Sequence, residues 1–103
     1  MILNTLRITV RPDKRLEFAQ TVRQLIEPIR AARGCFGFNF YVDSSNENTA
    51  LLIGEWETER DLEDHLISND FVVLRGAITV LSVERDERRS LIFDGSLKRK
   101  RTT

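Results

Sequence analysis

Residues 49–57 read TALLIGEWE, and this stretch decides the fold. Alternation puts Ala50, Leu52, Gly54 and Trp56 on one side of a strand and Leu51, Ile53, Glu55 and Glu57 on the other. Both sides are apolar at first, so both need cover. One layer of helices covers only one of them. The bare face then calls for a second copy of the chain packed across a two-fold axis.

Upstream, residues 2–11 alternate in the same way. Ile2, Asn4, Leu6, Ile8 and Val10 form one row, and Leu3, Thr5, Arg7 and Thr9 the other. Asn4 is the polar member of the apolar row. Pro12 and Asp13 suit the first turn of a helix, through a fixed φ and a charge that opposes the dipole. Leu16, Ala19, Val22, Ile26 and Ile29 then recur at three- and four-residue steps and predict its buried stripe. Pro28 predicts a kink or an early end, and Gly34 a C-terminal stop. Residues 35–43 predict a second strand, with Phe36, Phe38, Phe40 and Val42 on one face. Cys35, Gly37, Asn39, Tyr41 and Asp43 take the other. Residues 44–48 form a turn by composition.

Downstream, Thr58 with Asp61 resembles a capping box and opens a short helix through Leu62, His65 and Leu66. A second helical piece is expected at 70–77, strand alternation at 78–85 and a further short strand at 90–94. The order is β-α-β-β-α-β, an α+β, ferredoxin-like antiparallel sheet with helices on one side. This domain is assigned to residues 1–95. Residues 96–103, which include Lys98, Arg99, Lys100 and Arg101, are expected to form a basic, disordered tail.

Composition bounds the function. With 103 residues there is room for one domain. Sixteen basic and sixteen acidic side chains give a formal net charge of zero, which argues against nucleic acid as the main partner. No apolar run approaches the roughly 20 residues that span a bilayer. The first residues read as a strand, so no basic-then-apolar leader is expected. A single cysteine, Cys35, excludes an intrachain disulfide. A cytoplasmic protein is expected. No glycine loop suits a phosphate, and one His and one Cys far apart do not make a metal site.

The segments Gly34-Cys35-Phe36, Tyr41-Val42-Asp43, Glu55-Trp56-Glu57 and His65-Leu66-Ile67-Ser68 together resemble a known family. Their most specific part is Glu-x-Trp, with His nine residues after the Trp and Ser three further on. The likeness, over roughly residues 2–86, is to the antibiotic biosynthesis monooxygenase domain, which includes quinol-oxygenase-like proteins. The resemblance implies a dimeric α/β barrel with a pocket between sheet and helices. It also implies oxygenation of a phenol, quinol or anthrone by molecular oxygen, without metal or flavin. Other members degrade haem, so the family fixes a fold more firmly than a reaction.

His65 is the only histidine and the candidate base for a phenolic proton, with Asp61 one turn earlier to orient it. The plainer reading is a surface Asp–His pair on a helix. Trp56 is a candidate aromatic wall, or simply a core tryptophan. Asn4 is a candidate hydrogen-bond donor to a substrate or dioxygen oxygen; otherwise it is a capped strand start. The haem-degrading branch uses an Asn, a Trp and a His, a set that Asn4, Trp56 and His65 could mimic. Where better-known oxygenases have an amide four residues before the Trp and a tyrosine six after it, this chain has Leu52 and Leu62. Asn39, Tyr41 and Arg75 are therefore the candidate substrate-binding groups. If the Phe row faces the helices, Asn39 and Tyr41 fall at the dimer interface instead. The leading expectation is a cofactor-independent monooxygenase of a small aromatic, working as a homodimer through its sheet face. The alternatives are a haem-binding enzyme and a non-enzymatic ligand-binding or stress-response module.

Overall fold

A computed structural model describes residues 1–92, and the tail expected at 96–103 lies outside them. The alternating N-terminal segment forms β1 (Ile2–Val10), whose even-numbered residues are all buried. A 3-10 turn at Pro12–Lys14 leads into α1 (Arg15–Arg30). There follow β2 (Cys35–Val42), β3 (Thr49–Trp56), α2 (Glu59–Leu66), α3 (Asn69–Leu81) and β4 (Ser82–Leu91). The strands lie in the order β2-β3-β1-β4, and every neighbouring pair is antiparallel. This is the α+β, ferredoxin-like arrangement expected from the sequence.

The core lies between the helices and one sheet face. β1 and β3 supply Leu6, Ile8, Leu52 and Trp56, and the helices supply Phe18, Val22, Leu62, Leu74 and Ile78. The α1 stripe is rotated from the one expected. Phe18, Val22 and Ile29 are buried, whereas Leu16 is 69% exposed. Leu16 stands about 200° around the helix from Phe18, so a single stripe cannot include both. Pro28 does not end the helix early: α1 runs through it to Arg30.

β2 departs from simple alternation. Cys35 pairs with Trp56 and Gly37 with Glu55, which leaves Phe36 as the extra residue of a bulge. Cys35 therefore turns to the helix face and packs on the core, while Phe36 is 61% exposed. Phe38 and Phe40 stay on the helix face, and Phe40 meets Phe18 edge-on at 6.0 Å between centroids.

The C-terminal boundaries also differ from expectation. Residues 78–81 continue α3, because Ile78 and Leu81 extend the stripe begun by Phe71 and Leu74. The Ser82 hydroxyl donates to the Ile78 carbonyl and marks the change to strand. From Ser82 to Leu91 one strand, β4, takes the place of the two expected, and its residues are almost all exposed. The last two residues of the strand expected at 90–94 lie outside the described residues.

Candidate active site

The site begins with a glycine. The Trp56 indole lies flat along β3 over Gly54, where a Cβ would come within 2.7 Å of the indole nitrogen. His65, on the inner side of α2, stacks on that indole with centroids 4.5 Å apart and rings inclined by 24°. Phe71 of α3 meets the imidazole edge-on at 5.0 Å, and Phe38 stands at 6.1 Å. His65 is only 4% exposed and Trp56 1%.

Local sequence places these rings. Thr58 caps α2 by accepting from the Asp61 N–H at 3.1 Å. The Ser68 hydroxyl donates to the His65 carbonyl at 2.7 Å and accepts from the Phe71 N–H at 3.2 Å. One serine thus ends the helix bearing His65 and starts the helix bearing Phe71.

Burial sets the charge of His65. Desolvation pushes its pKa down to about 4, and the Asp70 carboxylate opposes this only in part. The imidazole is therefore neutral near pH 7. Among the described residues no hydrogen-bond partner meets either ring nitrogen. Asp61 does not orient the ring as expected. Its carboxylate accepts from the Thr58 hydroxyl at 2.8 Å and lies against Gly34, which has φ +77°. A residue with a Cβ at position 34 would collide with that carboxylate.

Asn4 shares the inner face with Trp56 and is 5% exposed. With the amide set to satisfy its neighbours, its nitrogen donates to Glu87 Oε2 at 3.1 Å and to the Arg88 carbonyl at 3.3 Å. The polar residue in the apolar row thus finds its partners on β4.

A cleft of about 340 Å³ opens between α3 and the β1–β4 side of the sheet. Leu6, Leu66, Phe71 and Ile78 give it an apolar floor, and Arg75, Arg85 and Glu87 reach its rim. His65, Trp56 and Asn4 do not line it. Phe71 stands between the cleft and His65, and Glu87 connects the cleft to Asn4.

The structure brings together His65 and Trp56, puts Asn4 on the same sheet face and places Arg75 at the cleft. It separates Asn39 and Tyr41 from them. Asn39 pairs with Ile53 and Tyr41 with Leu51, on the sheet face away from the helices. Asn39 Oδ1 accepts from Arg30 Nη2 at 2.9 Å, and Tyr41 is 50% exposed. Phe71, Arg85 and Glu87 escaped the sequence reading. Asn4 was the available signal for Glu87, since a buried amide requires a partner on the neighbouring strand. Among the described residues, no three His, Cys, Asp or Glu side chains gather as a metal-binding group, and no helix is long and apolar enough to cross a membrane.

Known proteins are similar to this chain in sequence or in fold. The family model described as antibiotic biosynthesis monooxygenase matches residues 1–75. The Synechocystis sp. protein sll1783 is 36% identical over 58 residues, which are 56% of this chain and 40% of that protein. The chain thus spans well under half of that curated relative's length. The Bacillus subtilis protein named "Putative monooxygenase YcnE" is 29% identical over 65 residues, 63% of this chain and 68% of that protein. Among solved structures, the "Putative antibiotic biosynthesis monooxygenase from Nitrosomonas europaea" superposes with a TM-score of 0.85 at 17% identity. That match covers 90% of this chain and 99% of the other, and at such identity it speaks for the fold alone.

Proposed function

The chain belongs to the antibiotic biosynthesis monooxygenase family, and on that premise we propose that it oxygenates a small aromatic, a quinol, phenol or anthrone, with molecular oxygen and no cofactor. The observation that carries the reading is the imidazole of His65. It is buried, neutral and stacked on Trp56, and one phenyl ring, that of Phe71, separates it from a cleft with an apolar floor. A buried imidazole with no hydrogen-bond partner has unused capacity for a proton.

In the proposed reaction the substrate enters the cleft and the Phe71 ring turns aside. His65 takes the phenolic proton, and the substrate anion beside it stabilises the imidazolium that burial alone disfavours. The anion passes an electron to dioxygen, and the two radicals combine at carbon to form a peroxide that takes up the proton. Loss of water leaves the new carbonyl. For a quinol the balance is quinol plus dioxygen to hydroxyquinone plus water. Trp56 is the wall on which the imidazole is held. Asn4, whose amide hydrogens go to Glu87 and the Arg88 carbonyl, is not free to act as the expected donor to a substrate or dioxygen oxygen and serves instead to hold Glu87. Exclusion of water by the apolar floor protects the anion. Arg75 binds substrate at the rim. Asn39 and Tyr41 belong instead to the outer sheet face, where a second copy packs to form the homodimer.

Oxygen uptake with a panel of quinols and anthrones tests the proposal, with His65→Ala beside the wild type and haemin titrated into both. Uptake without added cofactor that His65→Ala abolishes is expected. No uptake, with a Soret band that His65→Ala weakens, would move the assignment to haem. That reading would require the imidazole to leave its stack on Trp56. Silence in both assays would favour a ligand-binding module.

A further inference from the structure

Four charged side chains border the cleft: Arg75, Arg85, Asp86 and Glu87. Both carboxylates are already engaged. Asp86 Oδ2 accepts from Arg88 Nε at 3.0 Å, and Glu87 Oε2 accepts from the Asn4 amide at 3.1 Å. The two guanidiniums are not matched in this way. Among the described residues neither Arg75 nor Arg85 joins an ion pair.

What holds them leaves most of their donors unused. The Arg75 guanidinium rests over the Phe71 ring, 5.7 Å from its centroid. Arg85 Nη1 donates to the Thr79 hydroxyl at 3.1 Å, and that hydroxyl donates to the Arg75 carbonyl at 2.9 Å. Thr79 therefore ties the arginine of β4 to the turn of α3 that carries the other. Phe71, Arg75 and Ile78 follow one another along a single side of α3. The result is a floor suited to a planar ring, with two guanidiniums at one rim and, among the described residues, no carboxylate paired to either. A guanidinium offers five N–H donors in a fork that matches a carboxylate.

We propose that the cleft selects an aromatic ligand bearing a carboxylate, with the ring on the apolar floor of Leu6, Leu66 and Ile78, which stays in place when Phe71 turns aside, and the anion gripped jointly by Arg75 and Arg85. The inference rests on the cleft being the substrate site and adds its charge preference. The Glu87 carboxylate keeps its charge, but its partner is Asn4 and, among the described residues, it pairs with neither guanidinium.

Calorimetric titration of the whole chain with 1-hydroxy-2-naphthoate and 1-naphthol tests it, since the two share a ring system and differ in the carboxylate. The acid should bind about 10-fold or more tightly than the naphthol, the range of charge-assisted hydrogen bonds. Within each of Arg75→Gln and Arg85→Gln the ratio of the two Kd values should fall towards one. Taking the ratio removes any general effect of the substitution on the fold. A ratio near one in the wild type overturns the charge preference and leaves the cleft as the substrate site. So does a preference that survives in the double variant. Failure of both naphthalenes to bind the wild type overturns the cleft itself.

Discussion

His65 is neutral in the folded protein because burial pushes its pKa from 6.5 down to about 4. The unfolded chain takes up this proton near 6.5, and the folded chain only near 4. Between those values the unfolded state binds more protons, so stability rises with pH across the window and is lost as pH falls through it. The full effect is about 3 kcal/mol. Urea unfolding of the wild type and His65→Phe should show it: from pH 7 to pH 4 the difference shifts towards the variant by about 3 kcal/mol, and above pH 6.5 it is flat. No shift would mean that the imidazole titrates as if exposed. At Gly54 a methyl group would press on the Trp56 indole. Gly54→Ala should therefore cost about 1–3 kcal/mol, seen as a lower Tm with changed tryptophan fluorescence. An unaltered Tm would show that the indole can lift away. His65 and Trp56 were legible in the sequence because each is the only one of its kind. Their stacking was not, since it depends on how α2 crosses the end of β3.

Ser68 joins two elements, capping α3 and closing α2 through the His65 carbonyl. Ser68→Ala should cost about 1 kcal/mol and lower the Tm without changing the secondary structure seen by circular dichroism. An unchanged Tm would mean that the hydroxyl contributes nothing. Elements were readable where one face is apolar and the other polar, as in β1, or where a short run is apolar on both, as in β3. β4 was not, because arginines and glutamates occupy both of its faces, as suits the edge of a sheet. Its misplaced boundaries concealed Arg85 and Glu87, which border the cleft. The bulge at Phe36 was likewise invisible to a strict period of two, and it moved Cys35 to the other face.

The molecule as a whole has one sheet face under helices and one without them. On the second, Ile53 stands opposite Thr5 of β1 and Asn39 of β2, beside Leu51 and Leu3. The proposed homodimer covers this face, so sedimentation should give a dimer for the wild type and a monomer for Ile53→Glu. A wild-type monomer would remove the dimer from the account. The fold was legible because alternation, caps and element order all agree on one topology. The cleft arises from packing α3 against β1 and β4, which no local pattern encodes. Oxygen uptake with a quinol by the wild type and His65→Phe tests the chemistry proposed for His65. Phenylalanine keeps an aromatic ring against Trp56 and removes both nitrogens. The wild type should consume oxygen without added cofactor, and the folded variant should lose at least about 100-fold, the usual weight of a positioned acid–base group. Uptake by His65→Phe at the wild-type rate would contradict the claim.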